Sequence, residues 1–373
     1  MDILRPTYAE IDLGCIRRNT TALKRACGGA MLMAVVKANA YGHGMIRSAK
    51  AALSGGASWL AVTMAEEGIE LREAGISASV CVIGGMSAGA GAKVVEYGMS
   101  QAIFTRAELD ELQYEAARRS VKAKAHLKID TGMSRIGVRV GEELEALLDA
   151  WDSCPDVEME GVFTHFATSD AEDKAFSHKQ ADLFEQATNR VRQRGHNPIR
   201  HAANSAAVLD LPDTHYDMVR AGISLYGYYP SECCNKDVTL EPAMTWKSKV
   251  IYTKQMRPGD GIGYGLTYKA PSGSVIATVP AGYGDGYMRL LSNKADVLIG
   301  GKRARVRGRV CMDQLMADVT GIDGVKPGDE VVLIGRQGSE YIGADELAEL
   351  AGTICYETLL TVSARVPRVF VGE

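Results

Sequence analysis

Short apolar runs alternate with amphipathic segments between about residue 30 and residue 225. The apolar runs have the length of strands, and the segments between them carry apolar residues at the helical spacings of three and four. We predict strands at Met31–Val36, Trp59–Val62, Ser79–Ile83, Gln101–Phe104, Ala123–Ile129, Glu158–Thr164, Ile199–Ala202 and Met218–Leu225. We predict helices at Met45–Leu53, Met64–Glu73, Arg106–Arg118, Glu142–Trp151 and Asp173–Arg194. Eight strand and helix repeats in this stretch favour a parallel (β/α)8 barrel over an open doubly wound sheet.

The pattern changes after about residue 235, where β-rich stretches are separated by turns that contain Gly, Pro and Asp. The predicted elements of this part are strands at Met244–Thr253, Ser274–Val279, Asp296–Ile299 and Arg303–Val310 and a helix at Ala344–Ala351. The sequence therefore predicts an α/β chain, with an N-terminal (β/α)8 TIM-type barrel over residues 1–238 and a C-terminal mainly β domain over residues 239–373. The segment Tyr8–Leu13 alternates like one more strand, and residues 1–13 could pair with either domain.

Composition and charge narrow the class of partner. The 373 residues are 46% hydrophobic and 24% charged, and 42 basic against 46 acidic residues give a net charge of −4. No long basic run is present to bind nucleic acid, so a small-molecule ligand is the better expectation. The apolar runs are too short to cross a membrane, and the first residues lack the apolar core of a signal peptide, so we expect a cytoplasmic protein. The 8 cysteines and 7 histidines form neither a Cys-x-x-Cys pair nor a His-Glu-x-x-His pattern, and no metal is expected.

The residues that directly follow the predicted barrel strands are the candidates for chemistry, because the active sites of such barrels lie at the C-terminal ends of the strands. Lys37 directly follows the first strand. Burial at the barrel mouth would disfavour its charged form and leave the amine as a nucleophile or base. A lysine that extends its ammonium into solvent from a strand end fits the same sequence, so Lys37 alone does not decide between the two.

A possible phosphate site follows the last two predicted strands. Asn204 and Ser205 open a short helix after the seventh strand, and Arg220–Ile223 lies in the eighth. Loops at these two positions, with a helix N-terminus that presents free N–H groups, form the usual phosphate site of a barrel. Ser205 would serve equally as a simple helix N-cap. Beside a reactive lysine, however, a phosphate site is the combination that pyridoxal phosphate requires.

Six sequence motifs occur in order along the chain. They are Val35–Gly44, Lys128–Gly137, His201–Ser205, Met218–Ile223, Pro280–Gly286 and Cys311–Asp313. Together they resemble the alanine racemase family, which consists of pyridoxal-phosphate enzymes with a (β/α)8 barrel and a β domain. The resemblance extends over essentially all 373 residues. It implies that a cytoplasmic homodimer with shared active sites interconverts L-alanine and D-alanine and supplies D-alanine for cell-wall peptidoglycan.

The resemblance also implies catalytic and cofactor-binding residues. Lys37 would bind the pyridoxal phosphate aldehyde as an imine and act as one base, and the partner subunit's Tyr264 would act as the second base on the opposite face of the substrate. His165 would lie beside this tyrosine. Arg220 would face the pyridine nitrogen and leave it unprotonated, because a guanidinium keeps its proton. The other cofactor-binding residues would be Tyr41, Asn204, Ser205, Gly222, Ile223 and Tyr356.

A further set of residues is implied for the substrate. Arg135 would bind the substrate carboxylate or the phenolic oxygen of the cofactor with its planar fork of donors. Lys128 would carry a carbamate derived from CO2, which is an anion able to orient Arg135. The partner subunit's Met312 and the partner subunit's Asp313 would reach the same pocket.

Three alternative functions stay open at this point. Tyr264 and Tyr356 would narrow the pocket and favour alanine, yet one extra atom is discriminated by only about 1–3 kcal/mol, so a serine or broader-specificity racemase of the same family fits too. A non-catalytic pyridoxal-phosphate-binding protein would resemble the barrel alone, whereas this chain continues well beyond it. A decarboxylase of the same barrel type would place a carboxylate at the pyridine nitrogen, which Arg220 argues against.

Overall fold

The computed structural model describes residues 5–372 of the chain. Its strands are β1 (Tyr8–Asp12), β2 (Met31–Val35), β3 (Trp59–Val62), β4 (Ser79–Val82), β5 (Ser100–Ile103), β6 (Ala123–Lys128), β7 (Val157–Phe163), β8 (Ile199–His201), β9 (Met218–Ala221), β10 (Met244–Lys249), β11 (Tyr252–Gln255), β12 (Gly261–Ile262), β13 (Tyr268–Lys269), β14 (Val275–Val279), β15 (Asp296–Ile299), β16 (Lys302–Arg305), β17 (Leu315–Asp318), β18 (Glu330–Gln337), β19 (Glu340–Ile342) and β20 (Arg368–Val371). Its helical segments are α1 (Leu13–Ala26), α2 (Lys37–Tyr41, with left-handed φ angles from Ala38 onward), α3 (Met45–Ser54), α4 (Ala65–Glu73), α5 (Gly91–Glu96), α6 (Arg106–Arg119), α7 (Glu142–Asp152), α8 (Ala175–Gln193), α9 (Ser205–Asp210), α10 (Ala344–Ala351) and α11 (Cys355–Thr361).

These elements belong to two compact units. The barrel unit contains Cys15–Ala40 and Gly44–Glu241. The C-terminal unit contains the described residues up to Gly14, the short segment Tyr41–His43 and the residues from Pro242 onward. The boundary that the sequence places between residues 238 and 239 stays a prediction.

Parallel strands form a nearly closed barrel in the barrel unit. Within residues 5–372, eight strands pair in the order β8-β7-β6-β5-β4-β3-β2-β9, and each of these pairings is parallel. Backbone hydrogen bonds also connect the chain around β8 with β9: the backbone N–H of Arg220 donates to the Ala203 carbonyl at 2.8 Å, and that of Asp217 donates to the Arg200 carbonyl at 3.1 Å. Most strand residues are buried, as expected when helices cover a parallel sheet. The predicted α/β fold, a TIM-type barrel followed by a mainly β domain, is confirmed.

The last predicted barrel strand differs from the structure. β9 ends at Ala221, and Ile223–Tyr226 form a 3₁₀ turn, so the predicted strand Met218–Leu225 is wrong in its second half. An apolar run does not by itself distinguish a strand from a buried turn. The predicted strand Tyr8–Leu13 is β1, and it ends one residue earlier because Leu13 begins α1, a helix that the sequence analysis missed.

The C-terminal unit contains a larger sheet, a smaller sheet and a β-hairpin. In the larger sheet the order is β16-β15-β18-β10-β1-β20, with β19 paired to β18, and β1 is antiparallel to β10 and parallel to β20. The smaller sheet has the order β11-β14-β17, and β12 pairs with β13. Two predicted strands were too long. Met244–Thr253 is split into β10 and β11, and Arg303–Val310 ends with β16 at Arg305.

Both breaks occur where the chain changes from one set of hydrogen-bond partners to another. The Val250 N–H donates to the Asp329 carbonyl, next to β18, whereas the following Ile251 N–H donates to the Thr278 carbonyl in β14. The same change occurs after β16, because the Arg307 N–H donates to a carbonyl of β17. The sequence marks neither break, because Val250–Tyr252 are all apolar and Arg303–Val310 alternates throughout, so the pattern predicts a single strand in each case.

Candidate active site

The barrel strands bring basic side chains together at their C-terminal ends. Lys37 follows β2, Lys128 is the last residue of β6, His165 follows β7 and Arg220 lies in β9. Burial holds the pKa of His165 well below its usual value, and so do the charges of Arg220, Lys128, Arg135 and Lys37. The structure therefore places five residues that were predicted from the sequence close enough to act on one another.

Lys37 is half-buried, and burial lowers the pKa of its amine. The guanidinium of Arg135 lowers this pKa further, while the carboxylate of Glu67 raises it. A lowered pKa increases the neutral fraction of the amine, which is the form that acts as nucleophile or base. The position of Lys37 thus favours a reactive amine over an ammonium group extended into solvent.

The backbone after this lysine forms one turn of left-handed helix. The φ angles of Ala38–Tyr41 are 51°, 53°, 54° and 53°, in residues that all carry a Cβ atom. Such a conformation costs about 1–2 kcal/mol per residue. The Ala38 N–H donates to Glu67 Oε1 at 2.6 Å, and Asn39 Oδ1 accepts the Met45 N–H at 2.8 Å. These bonds hold a strained turn that fixes the chain direction next to the reactive amine.

Arg220 is only 3% exposed, and among the described residues its guanidinium bonds to no carboxylate. Its N–H groups donate over 2.7–3.2 Å to the carbonyls of Thr164, His201 and Ala202 and to the Nδ1 atoms of His165 and His201. Burial is the main reason that the pKa of Arg220 falls to about 10, which leaves the group cationic at neutral pH. A buried cation held by neutral acceptors is suited to a ligand that offers another acceptor.

The contact with Arg220 also determines the tautomer of His165. Nη2 of Arg220 lies 3.2 Å from Nδ1 of His165. A guanidinium can only donate, so Nδ1 must accept, and the proton of the neutral imidazole lies on Nε2. The low pKa of His165 keeps the ring in this neutral form at neutral pH. His165 therefore offers Nε2–H as a hydrogen-bond donor.

Lys128 is buried, and no carboxylate within residues 5–372 forms an ion pair with its amine. Its Nζ donates to the Ile129 carbonyl at 3.0 Å and lies 5.1 Å from the centre of the Phe163 ring. Burial, aided by the charge of Arg220 and opposed by that of Asp130, lowers the pKa of Lys128 to about 7. A substantial part of this amine is thus neutral at neutral pH.

Arg135 lies in a loop that Asp130 holds in place. Oδ1 of Asp130 accepts the N–H groups of Gly132 and Ser134, each at 3.0 Å. Ser134 has a positive φ of 57°, which these bonds help to stabilise. The loop leaves the Arg135 side chain exposed, where its fork of donors is available to a carboxylate.

Ser205 and the turn after β9 form a cluster of hydrogen-bond donors. Oγ of buried Ser205 accepts the N–H of Gly222 at 2.8 Å and that of Ser224 at 3.4 Å. Ile223 begins the buried 3₁₀ turn between them. Asn204 acts as the N-cap of α9, because its Oδ1 accepts a backbone N–H of the first turn at 3.1 Å. The two N–H groups and the hydroxyl are a donor set that suits an anion.

Tyr41 and Tyr356, the tyrosines predicted to bind the phosphate, lie together in the C-terminal unit. Their ring centres are 6.0 Å apart, and the rings are inclined by 50°. Burial raises the pKa of Tyr41 above its usual value, so the hydroxyl keeps its proton and can donate.

Tyr264, Met312 and Asp313 line one cleft of the C-terminal unit, with a volume of about 670 Å³. Tyr264 is 70% exposed and Met312 is 51% exposed. Large side chains of these types are more often buried in the protein core. Tyr264 begins a 3₁₀ turn that follows Gly263, a residue with a positive φ of 67°. The residues predicted to reach a partner's active site thus share one open cleft.

The Pro280–Gly286 motif supports the backbone of Cys311–Asp313. The Tyr283 N–H donates to the Cys311 carbonyl at 3.0 Å. A Cβ atom on Gly282 would lie 2.3 Å from the same carbonyl oxygen, so only glycine allows this approach. The motif therefore fixes the loop that carries two of the predicted substrate-binding residues.

Arg365 was not predicted from the sequence, although it bonds directly to a predicted residue. Its Nη2 donates to Oδ1 of Asp313 at 2.7 Å, and its Nε lies 3.6 Å from Oδ1 of Asp285. Asp285 is fully buried and also pairs with Arg5. Arg365 thus connects the exposed carboxylate of Asp313 to a buried anchor.

Glu67 is a second residue that the sequence analysis missed. Besides the Ala38 N–H, it accepts the N–H groups of Thr63 and Met64, at 2.8 and 3.3 Å, and so caps α4. A glutamate at the third position of a helix is a recognisable capping residue. The pattern gives no indication, however, that the same carboxylate reaches the turn after Lys37.

Across residues 5–372, no three His, Cys, Asp or Glu side chains are grouped so as to hold a metal ion. The helices described there include none that is both long and apolar enough to span a membrane.

Comparison with known proteins identifies the family to which this chain belongs. Residues 11–230 match the family described as alanine racemase, N-terminal domain, and residues 243–370 match alanine racemase, C-terminal domain. The chain is 45% identical over 373 residues to the alanine racemase of Halothermothrix orenii, covering 100% of this chain and 98% of that protein. It is 47% identical over 380 residues to the alanine racemase of Symbiobacterium thermophilum, covering 100% and 99%.

Solved structures agree with the sequence matches. The alanine racemase of Streptomyces coelicolor A3(2) superposes with a TM-score of 0.95 at 37% identity, covering 99% of this chain and 98% of that chain. The alanine racemase of Bacillus anthracis, solved with bound L-Ala-P, gives a TM-score of 0.93 at 39% identity, covering 100% and 97%. With both domains matched and relatives similar over their full length, the chain belongs to the alanine racemase family and is an amino-acid racemase.

Proposed function

We propose that this enzyme interconverts L-alanine and D-alanine with pyridoxal 5′-phosphate as cofactor, as a cytoplasmic homodimer that supplies D-alanine for cell-wall peptidoglycan. Lys37 and the partner subunit's Tyr264 would be the two bases, on opposite faces of the substrate Cα. The observation that carries the proposal is the end of the barrel, which combines the lowered pKa of Lys37, the buried cation Arg220 and the donor cluster at Ser205.

The donors around Ser205 fit the phosphate of this cofactor. The N–H groups of Gly222 and Ser224 already converge on Ser205 Oγ, and they would donate equally well to a phosphate oxygen. Tyr41 and Tyr356 would add two phenol donors. When bound, the cofactor supplies an aldehyde that takes up an amino group and a conjugated ring that stabilises negative charge at the substrate Cα.

Arg220 would keep the pyridine nitrogen unprotonated. Bonds to five neutral acceptors fix the plane of the guanidinium, and a pKa of about 10 means that it gives up no proton at neutral pH. By donating a hydrogen bond without giving up a proton, Arg220 would limit the charge that the ring withdraws from the substrate. Prompt return of a proton to Cα would then favour racemisation over transamination.

Two bases invert the carbon without rotating the substrate, since one removes a proton and the other returns one on the opposite face. The neutral amine of Lys37 is able to accept the proton. The ordinary pKa of a phenol is about 10, so Tyr264 needs a donor that stabilises its ionised form. The Nε2–H of His165 fits this need, because Arg220 occupies the other nitrogen of the ring.

Exposed side chains of the C-terminal unit support the homodimer. Leu266, Tyr283 and Leu290 are exposed in addition to Tyr264 and Met312. Exposed apolar surface of this kind marks sites of protein contact. A partner subunit that covers these residues would bring the partner subunit's Tyr264 to the second face of the substrate.

Lys128 would carry a carbamate that orients Arg135 toward the substrate carboxylate. With a pKa of about 7, a substantial fraction of the Lys128 amine is neutral, and this is the form that reacts with CO2. The amine nitrogen bonds to the carbon of CO2, one proton leaves to solvent, and the new anion offsets the nearby positive charges. The partner subunit's Met312 and the partner subunit's Asp313 would complete the pocket.

The reaction and the cofactor are tested separately. Formation of D-alanine from L-alanine by the purified protein tests the reaction, and the visible absorption spectrum before and after borohydride tests the cofactor. Lys37→Ala should lose both the cofactor absorption and racemisation, whereas Lys50→Ala, at an exposed position of α3, should keep both. Full activity in the Lys37→Ala protein would exclude the proposed role.

The second base has its own test. Tyr264→Phe should reduce solvent-deuterium exchange from one enantiomer of alanine more than from the other, and Tyr114→Phe, at an exposed position of α6, should change neither. Equal exchange in the Tyr264→Phe protein would contradict the two-base assignment. Equal racemisation of serine and alanine would favour the broader-specificity racemase instead.

A further inference from the structure

Beyond Arg220, a chain of polar side chains continues inside the barrel. Nη1 of Arg220 lies 3.0 Å from Nδ1 of His201, whose Nε2 lies 2.8 Å from Nδ1 of His126. Nε2 of His126 lies 3.3 Å from Oε2 of Glu160. The four residues come from β9, β8, β6 and β7, and both imidazoles are fully buried. The proposed function uses His201 only as an acceptor for Arg220, and it assigns no role to His126 or Glu160.

The direction of the donors in this chain follows from Arg220. A guanidinium has no acceptor, so its N–H must point at Nδ1 of His201, and that nitrogen carries no proton. The one proton of a neutral His201 then lies on Nε2 and points at Nδ1 of His126. Because Nδ1 of His126 accepts this proton, the ring carries its own proton on Nε2. That Nε2–H donates to the carboxylate of Glu160, which can only accept. Arg220 at one end of the chain and the Glu160 carboxylate at the other thus require the same tautomer in both rings.

The strands are shaped to hold this chain. The pairing of β6 with β7 shifts between Ala125 and His126, which are opposite Met159 and Gly161, so Glu160 is the extra residue of a β-bulge. A bulge changes the direction of the side chain that it carries. A Cβ atom on Gly161 would lie 2.3 Å from Nδ1 of His126, so the ring fits only against glycine.

Aromatic packing fixes the planes of the rings. Phe163 stacks on His201 with ring centres 4.8 Å apart and planes inclined by 3°, and it also lies 5.3 Å below the guanidinium of Arg220. His126 meets His201 edge-on, at 5.0 Å and 70°. In a close-packed interior these rings cannot turn without displacing their neighbours.

We propose that Glu160, His126 and His201 are positioning residues for Arg220, and that their one-directional hydrogen-bond chain holds the guanidinium in a fixed plane at the end of the barrel. The consequence for the pyridine nitrogen rests on the proposed function, in which Arg220 faces that nitrogen. Without the acceptor at Glu160, His201 is free to place its proton on Nδ1. The guanidinium would then have to turn away from a donor only 3.0 Å from its Nη1.

A second proton on His126 is the competing arrangement. Burial lowers the pKa of His126, while Cys81 and Glu160 raise it above its usual value. The charged and titratable groups that act on the chain are Glu160, Cys81, His201, Lys124, Lys128 and Arg220. A cationic His126 would donate to Nε2 of His201 and force the remaining proton of that ring toward the Arg220 N–H. Two N–H groups, one on Arg220 and one on Nδ1 of His201, would then face each other without an acceptor. We therefore assign His126 the neutral form with its proton on Nε2.

The ring nitrogens themselves test the proposal. Long-range proton–nitrogen spectra of the full-length protein with ¹⁵N-labelled histidine separate protonated from unprotonated ring nitrogens, and single His126→Asn and His201→Asn variants assign the two rings. Near neutral pH each ring should carry one proton, on Nε2. A proton on Nδ1 of His201, or protons on both nitrogens of His126, would overturn the proposal. A wild type that forms no D-alanine would instead contradict the proposed function and leave the tautomers unaffected.

Two substitutions of Glu160 test the consequence in the holoenzyme. Glu160→Gln keeps an oxygen acceptor for His126, whereas Glu160→Leu keeps only the bulk. We expect Glu160→Gln to retain most of kcat and the Nε2 proton of His201, and Glu160→Leu to move that proton and lower kcat roughly ten- to a hundredfold without a matching change in KM. Equal kcat values in the two variants, whether high or low, would refute a role for the acceptor. If Glu160→Leu does not fold, the wild-type spectrum decides.

A steric variant tests the chain without changing a polar group. Gly161→Ala should displace the ring of His126 and reproduce the loss of kcat expected for Glu160→Leu. Gly29→Ala is its control, because a Cβ atom at Gly29 meets no other atom within 4 Å. A Gly161→Ala enzyme with the wild-type kcat and the wild-type His201 tautomer would contradict the proposal.

Discussion

Glu67→Ala is the sharpest test of how the barrel holds Lys37. The substitution removes the carboxylate that accepts the Ala38 N–H at 2.6 Å and caps α4 through the N–H groups of Thr63 and Met64. It therefore releases the first residue of the left-handed turn and the first turn of a helix at once. We expect both stability and catalysis to suffer, although Glu67 is not among the residues that would touch substrate or cofactor.

The magnitude follows from the turn and the cap. At about 1–2 kcal/mol per residue, the left-handed turn Ala38–Tyr41 costs about 4–8 kcal/mol, which neighbouring interactions must offset. A hydrogen bond to a charged acceptor contributes about 1.5–3 kcal/mol when the donor is buried. The Ala38 and Met64 residues are exposed, so water replaces part of the loss. We therefore expect the free energy of unfolding to fall by about 2 kcal/mol, near the upper end for loss of a helix cap.

Urea unfolding and steady-state kinetics of the holoenzyme measure the two effects. Glu70→Ala, at an exposed position of the same helix, controls for the change in helix propensity. The Glu67 carboxylate raises the pKa of Lys37, so its removal should lower that pKa further and shift the pH dependence of cofactor binding to lower pH. If Glu67→Ala matched Glu70→Ala in stability, in kcat/KM and in this pH dependence, the supporting role of Glu67 would be refuted.

Three further predictions concern Arg365 and Lys128. Arg365→Ala should raise KM for alanine more than it lowers kcat, because Asp313 loses its ion pair at 2.7 Å. Arg365→Lys should restore part of the lost affinity. An unchanged KM in Arg365→Ala would exclude a role for Arg365 in holding Asp313. Burial lowers the pKa of Lys128 to about 7 from 10.5, so the folded protein binds fewer protons than the unfolded chain between these pH values, and its stability rises with pH there. The gain in stability from Lys128→Met in CO2-free buffer should therefore be largest below about pH 7 and shrink toward pH 10.5, and a pH-independent gain would contradict the shift. In ¹³CO2, a carbamate carbon signal should appear in the wild type and be absent from Lys128→Met.

The sequence predicts the barrel well because its strands are short apolar runs between amphipathic helices. The strand β3 and the helix α10 begin and end where the pattern places them. The pattern fails where local structure departs from a simple period. Ile223–Tyr226 is apolar but forms a 3₁₀ turn, and Ala38–Tyr41 contains no glycine although every φ is positive. Neither conformation is encoded by periodicity, because tertiary hydrogen bonds impose both.

The residues of the site also divide into those that a local sequence rule finds and those that depend on tertiary contacts. The rule that chemistry follows barrel strands marks Lys37 as a candidate before the fold is known, whereas the role of Arg220, which lies within a strand, was implied by the family resemblance. It does not find Arg365, whose contact with Asp313 joins positions far apart in the sequence. Nor does it find Glu160, which lies within a strand and reaches His126 only because of a β-bulge. The supporting residues of the site depend on register and bulges, which the hydrophobic pattern leaves undetermined.

The basic groups of the site form a coupled set, and this coupling bears on catalysis. Arg135 lowers the pKa of Lys37, and Arg220 and Arg135 both lower that of Lys128. An anion that binds among these groups reduces their mutual repulsion, and so raises the pKa of each. The carboxylate of an amino-acid substrate is such an anion. Its arrival beside Arg135 would make Lys37 a stronger base at the moment when a proton has to be taken from Cα, whereas in the ligand-free site burial and Arg135 lower the pKa of the amine and so increase its neutral, nucleophilic fraction.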